Sequence, residues 1–285
     1  MDFSQNNFSL HEKAFPQENS LNSVYDSYIT DQINEQLNNC EEQLDRELIK
    51  PIPLTNCYTN SVNIAVGRQR TGKTYSIIKE IIKISNVHPE THLLIYVNQT
   101  GRRGDDTMEA MKTLIKCPVI YVSESEFIPT IQNILRWKEL YNTIKDRGVE
   151  NEIIDEQRDE LFEVLRINDF SRRWLHTLIL LEDCAKSKLL TIEKSFTNQL
   201  MTKCGHIQCS FFLAIQYWKA LNSNIKANVS TIFIFAGFSR QQLSYILFQT
   251  NLPYSLNEIY ERYKDLNGHD KMIVDSYGGN LTFTK

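Results

Sequence analysis

Eight residues, Gly67-Arg68-Gln69-Arg70-Thr71-Gly72-Lys73-Thr74, constrain this chain more than any bulk property. They follow an apolar run, Val62-Asn63-Ile64-Ala65-Val66, and open into Tyr75-Ser76-Ile77-Ile78-Lys79-Glu80-Ile81-Ile82-Lys83-Ile84. A strand, a G-x-x-x-x-G-K-S/T loop and a helix in that order form a phosphate-binding unit. The two glycines let the backbone turn tightly and aim successive N–H groups at one phosphate. The helix start adds unpaired donors and the positive end of its dipole. Gly67 to Tyr75 are therefore the expected nucleotide contacts. Lys73 is placed to reach the β- and γ-phosphates, and Thr74 to offer its hydroxyl to Mg²⁺.

A second unit lies downstream. Leu178-Ile179-Leu180-Leu181 is evenly apolar, as a central strand buried on both faces must be, and it ends in Glu182-Asp183. Acids at that end of an α/β strand sit where such sheets bind ligands. After a phosphate loop they read as a metal-holding carboxylate, Glu182, followed by a water-orienting one, Asp183. Cys209-Ser210-Phe211-Phe212-Leu213-Ala214-Ile215 is a further strand, and Gln216 at its end can sense the γ-phosphate, position water or cap the next turn. A second apolar strand, His92-Leu93-Leu94-Ile95-Tyr96-Val97, intervenes in sequence between the loop strand and the acidic strand. That order points to the ATPase branch with an additional central strand, a RecA-like α/β P-loop NTPase with a mostly parallel sheet. No N-K-x-D guanine-reading motif occurs, which favours ATP over GTP.

The remaining chain is read around this core. Residues 1–50 hold ten Asp/Glu and three Lys/Arg, net −7, which leaves +3 for the rest of a chain of net −4. The expectation is an acidic polar tail with a short helix on Ile33, Leu37, Cys40, Leu44 and Leu48, ended by Pro51 and Pro53, before an ATPase domain over 51–285. Any DNA contact must then be a local patch. Asn98 to Asp106 carries Arg102-Arg103, read as a solvated turn or as a basic loop facing a phosphate backbone or a neighbouring subunit. Residues 107–116 and 239–250 read as helices, 124–170 as a helical insertion of two helices broken near Gly148, and 271–283 as an edge hairpin across Gly278-Gly279. No apolar run approaches the roughly 18 residues of a membrane span. The N-terminus has neither the basic nor the apolar part of a signal peptide. Six cysteines without C-x-x-C spacing read as reduced thiols of an intracellular protein that is not secreted.

With these residues in place, the chain resembles the genome-packaging ATPases of large double-stranded DNA viruses, the poxvirus-type members of the FtsK/HerA superfamily. The resemblance spans roughly residues 58–236. It rests on the Gly67–Thr74 loop, on Leu178–Asp183, on Gly205-His206-Ile207-Gln208-Cys209-Ser210 before the strand that ends in Gln216, and on Leu221-Asn222-Ser223-Asn224-Ile225-Lys226-Ala227-Asn228 after it. The family shows an R-H-x-x-I-S-like segment before that strand and an L-P-x-x-I-R-x-N-like segment after it. The resemblance implies ATP with Mg²⁺, a homo-oligomeric ring, double-stranded DNA and a capsid or vertex protein as partners, and a virion or host-cell assembly site. It implies no small-molecule substrate beyond ATP. Lys73, Glu182, Asp183 and Gln216 would be catalytic, with Arg102, Arg103, Lys219 and Lys226 as DNA contacts. Three positions depart from the family. Glu182 stands where it has Asp, and Lys226 where it has Arg. Gly205 replaces an arginine that acts on the neighbour's nucleotide, so that Lys203, Arg172 or Arg173 would take its place. A slow nucleotide-dependent switch or assembly factor, and another FtsK/HerA-type DNA pump or helicase, are the rival readings.

Overall fold

The structure, a computed structural model, describes residues 55–99, 101, 106–146, 176–184, 187–192, 194–250 and 252–284. The N-terminal tail, Arg102, Arg103, the second helix of the 124–170 segment, Arg172 and Arg173 lie outside the described residues.

Eight strands make one sheet: β1 (Val62–Val66), β2 (His92–Asn98), β3 (Val119–Ser123), β4 (His176–Glu182), β5 (Cys209–Ile215), β6 (Val229–Phe235), β7 (Lys271–Asp275) and β8 (Asn280–Thr284). Their order is β3-β2-β4-β5-β1-β6-β7-β8. The first six in that row are mutually parallel, and β7 and β8 add an antiparallel edge hairpin. The strand that separates β1 from the acidic β4 is β5, the one that ends at Gln216. The strands that intervene in sequence, β2 and β3, lie on the far side of β4. This is the additional-strand, RecA-like P-loop NTPase architecture.

Side chains alternate across the sheet, and both faces are covered. Val62, Ile64 and Val66 of β1 join one apolar layer with Ile179 and Leu181 of β4, while Ala65, Leu178 and Leu180 join the other. The central strands β1, β4 and β5 are buried on both faces and carry no polar stripe, which explains their even apolar runs. Helix α1 (Lys73–Ser85) covers one face with Ile77, Ile78, Ile81 and Ile84, beside α2 (Asp106–Met111) with Met108 and Met111. The other face takes α3 (Glu124–Asp146), α4 (Lys188–Thr191), α5 (Phe196–Thr202), α6 (Cys204–Ile207), α7 (Ser223–Ala227), α8 (Arg240–Leu247) and α9 (Leu256–Tyr263). The first helix of the segment read as an insertion, α3, runs between the parallel strands β3 and β4 and packs Phe127, Ile131 and Ile134 on the sheet.

Most helices of this second layer begin on a local cap. Ser195, Asn222, Ser239 and Ser255 accept backbone N–H groups at the starts of α5, α7, α8 and α9, and the last two are complete capping boxes with Gln242 and Glu258. Each such cap is worth about 1 kcal/mol. Lys138 of α3 is buried, and its Nζ donates to Ile207 O and Gln208 O, both at 2.9 Å. Gln208 is left-handed (φ 50°), so this lysine pins the turn that launches β5. Lys138→Met removes both of these bonds, although Gln208 O keeps the Thr177 N–H at 3.0 Å and Ile207 O the weak Cys209 Sγ–H at 3.3 Å. It is expected to cost about 1–2 kcal/mol, read as a lowered urea midpoint at pH 7. An unchanged midpoint would show that the turn holds itself.

Candidate nucleotide site

Because β1, β4, β5 and β6 are parallel, their C-terminal ends meet at one edge of the sheet. The phosphate loop leaves β1 there. Gly67 N donates to Ile215 O of β5 at 3.2 Å, which anchors the loop's first residue. A Cβ at Gly67 would stand 2.7 Å from Thr71 Oγ1 and 2.8 Å from Phe235 Cβ, so glycine is required for space. Gly72 is required for conformation, at φ +88° as the N-cap of α1. Helix α1 has no side-chain cap and no acidic residue in its first turn, unlike α8 and α9 with their Ser caps and α9 with Glu258. Its positive end and free N–H groups are left for an anion, as a phosphate requires.

Lys73 and Thr74 open α1. Lys73 is buried, and its Nζ donates to Arg68 O at 2.6 Å across the loop. Burial pushes its amine below the ordinary range, and the charges of Asp183 and Glu182 oppose that shift. Thr74 Oγ1 donates to Glu182 Oε1 at 2.5 Å, joining the loop to the end of β4. Glu182 is 7% exposed, and burial pushes its carboxyl up to about 7. The Thr74 hydrogen bond and Lys73 oppose that rise, and Asp183 adds to it. A hydroxyl and a carboxylate side by side are a hard oxygen pair that fits Mg²⁺.

The next residue breaks the strand. Asp183 is left-handed (φ 50°), a conformation Asp tolerates better than most residues, and is exposed. Its N–H still donates to Ala214 O at 3.3 Å, and its Oδ1 accepts from Gln216 Nε2 at 3.3 Å. The two adjacent acids thus divide: Glu182 faces inward to Thr74, and Asp183 faces outward to Gln216. Five of the residues expected to act together, Lys73, Thr74, Glu182, Asp183 and Gln216, are brought to one edge. Lys219 lies three residues past Gln216, exposed, with Nζ 4.4 Å above the Tyr245 ring. Lys203 and Lys226 precede β5 and β6 and so stand at the opposite ends of those strands.

Three neighbours of the loop were not foreseen. His269 Nδ1 would lie 3.2 Å from a Cβ at Gly72. The Arg68 guanidinium passes Gly237, where an added Cβ would be 3.7 Å from it. Tyr263 of α9 donates to Phe235 O and accepts from Phe238 N, fixing the end of β6 beside the loop. They come from residues far along the chain, and no local pattern marks them.

The raised Glu182 carboxyl has a consequence for stability. A carboxyl raised from 4.5 to about 7 on folding stabilises most below pH 4.5 and loses that contribution as pH rises through about 7. Metal-free protein in chelator is therefore expected to lose about 2–3 kcal/mol between pH 5 and 8 relative to Glu182→Gln. Parallel urea titrations of the two proteins would reveal this. Equal pH profiles would mean that Glu182 is not buried as charge.

No family model matches the sequence, and no curated protein matches it. Among solved structures, the chain is similar to the genome-packaging NTPase B204 of Sulfolobus turreted icosahedral virus 2 in complex with AMPPCP, at 13% identity over 79% of this chain and 97% of that one, TM-score 0.46. It is also similar to B204, the DNA-packaging ATPase of Sulfolobus turreted icosahedral virus, at 15% identity over 80% and 98% of the two chains, TM-score 0.48. A third similar structure is the cytoplasmic domain of the Thermomonospora curvata type VII secretion ATPase EccC, at 14% identity over 80% of this chain and 25% of that one, TM-score 0.48.

Proposed function

We propose that the protein hydrolyses ATP to drive double-stranded DNA, as the packaging motor of a viral genome in the poxvirus-type branch of the FtsK/HerA superfamily. The observation that carries the ATPase part is the pairing of Thr74 with Glu182 and of Gln216 with Asp183 at the edge that holds the phosphate loop. A binding-only loop does not need the second pair. The loop N–H groups and Lys73 would hold and neutralise the β- and γ-phosphates. Asp183 would orient the attacking water, and Gln216, bonded to that same carboxylate, would report whether the γ-phosphate is in place. Thr74 and Glu182 would hold Mg²⁺, which supplies charge neutralisation on the phosphate oxygens.

The DNA, the ring, the capsid or vertex partner and the assembly-site location rest on the motifs at 205–210 and 221–228. An arginine or lysine from the next subunit would complete the site, with Lys203, Arg172 and Arg173 as the candidates. Phosphate contacts by Arg102, Arg103, Lys219 and Lys226 would make binding salt-sensitive and indifferent to sequence. The test is steady-state hydrolysis with and without double-stranded DNA. A several-fold rise that fades with salt supports the motor.

One observation favours a second reading, a slow nucleotide switch or assembly factor. Gly205 is exposed, and a Cβ there would meet nothing within 4 Å. There is room for the family's arginine, yet the charge is absent. A hydrolysis rate unmoved by DNA at every protein concentration would favour this reading.

A further inference from the structure

Residues 194–257 contain no Asp or Glu and five Lys/Arg: Lys194, Lys203, Lys219, Lys226 and Arg240. At the chain average of 35 acids in 285 residues, a stretch of 64 would carry about eight. The buried strands β5 and β6 account for part of the deficit. The rest falls on α5 to α8, whose apolar sides all pack on the same face of the sheet. Four of the five cations are exposed and Lys226 is half-buried. None of the five has an ion pair with a carboxylate among the described residues. The opposite layer is built differently: there Lys83 pairs with Glu80 at 2.9 Å and Lys112 with Glu109 at 2.7 Å. Among the described residues, the flanking helices α3 and α9 of this face carry carboxylates such as Glu124 and Glu258, and in the sequence Glu193 directly precedes the acid-free stretch.

We infer that this acid-free layer is a binding surface for the phosphate backbone of duplex DNA; the inference rests on the translocase reading and assigns that reading its contact face. Lys203 and Lys226 stand before β5 and β6, and Lys219 and Arg240 after them. Strands of seven residues are roughly 20 Å long. A duplex presents about 12 phosphate charges over such a length, so cations at both ends can be engaged by one segment. Tyr217 and Tyr245, exposed by 57% and 49%, add hydroxyls of the kind that contact phosphate at the Lys219 end. Elsewhere in this layer Ile192, Phe248 and Tyr254 are exposed, but among the described residues none of the large apolar side chains in the segments 202–208 and 222–228, which carry Lys203 and Lys226, is exposed. Cations without an exposed apolar group in the same segment suit a nucleic-acid backbone better than a protein partner.

The experiment measures binding of the full chain to a fluorescein-labelled blunt duplex by anisotropy across a salt series, without nucleotide. Lys194→Ala/Lys219→Ala/Lys226→Ala is set beside Lys79→Ala/Lys112→Ala/Lys116→Ala, which removes the same charge from the opposite layer, and thermal melting confirms that both fold. The first triple variant is expected to lower the slope of log affinity against log salt by about 2.7 and the affinity at 100 mM salt by about tenfold or more, with the second near wild type. Equal losses in the two variants, or none in the first, overturn the inference while the wild type's DNA binding keeps the translocase reading alive. No binding by wild type at low salt overturns both. Loss in the first variant without any DNA effect on ATP hydrolysis sinks the translocase reading alone. Polyglutamate of equal charge that binds as tightly as DNA, and is lost in the same variant, would make this a surface for acidic polypeptide instead.

Discussion

Lys73→Ala is expected to lower the ATP hydrolysis rate about 10³-fold or more while leaving the protein folded. Two opposing features set the size of the effect. The amine is buried with its Nζ 2.6 Å from a loop carbonyl, so on the proposed reading it would act on phosphate charge from a position largely screened from solvent. It also faces two carboxylates, Glu182 and Asp183, whose charges would otherwise repel a nucleotide. Removing it therefore uncovers repulsion as well as deleting attraction. The fold should not suffer, because burial already disfavours the charged amine. The readouts are steady-state phosphate release, thermal melting and binding of a fluorescent ATP analogue. A variant that keeps more than a tenth of the wild-type rate would show that the phosphate charge is neutralised elsewhere.

The parts of this site that could be read in the sequence are those where one element carries the whole signal. Gly67 to Thr74 is a contiguous loop whose glycines answer local needs, a close approach at Gly67 and a left-handed cap at Gly72. The even apolarity of β4 reports burial on both faces, and Glu182 follows from where that strand ends. The Ser239-x-x-Gln242 box announces α8. The equivalent Ser255-x-x-Glu258 box announces α9 just as clearly, but α9 was not anticipated, because Asn257, Glu258, Glu261 and Arg262 dilute its apolar period. A strand that intervenes in sequence need not intervene in space: β5, and not β2, lies between β1 and β4 and pairs in parallel with both.

What stayed hidden depends on tertiary approach. His269 and Tyr263 reach the loop only because the chain returns as the β7–β8 edge. The left-handed turn at Asp183, which separates the two acids, is not encoded by the dipeptide. Lys138 looks like a solvent-facing helix charge in the sequence, and its role exists only because the turn at Gln208 lies over it.

That separation of the acids predicts two different defects. Glu182→Gln keeps an acceptor for Thr74 but removes the charge that makes the pair suitable for a divalent cation. Nucleotide binding in this variant should lose most of its dependence on Mg²⁺, and hydrolysis should fall with it. Asp183→Asn keeps an oxygen for Gln216 and leaves the Thr74–Glu182 pair untouched, so nucleotide affinity should stay within about threefold of wild type. Its turnover should fall about 10²–10³-fold, the usual size of the loss when a water-orienting base becomes an amide. Gln216→Ala would share the second phenotype in weaker form, since it removes only the group that holds the Asp183 carboxylate. Titrating a fluorescent ATP analogue with and without Mg²⁺, beside steady-state turnover, separates the two classes. If Asp183→Asn weakens binding as much as Glu182→Gln does, the acids act as one metal-holding unit, and the water must be oriented by a group from elsewhere, such as the neighbouring subunit.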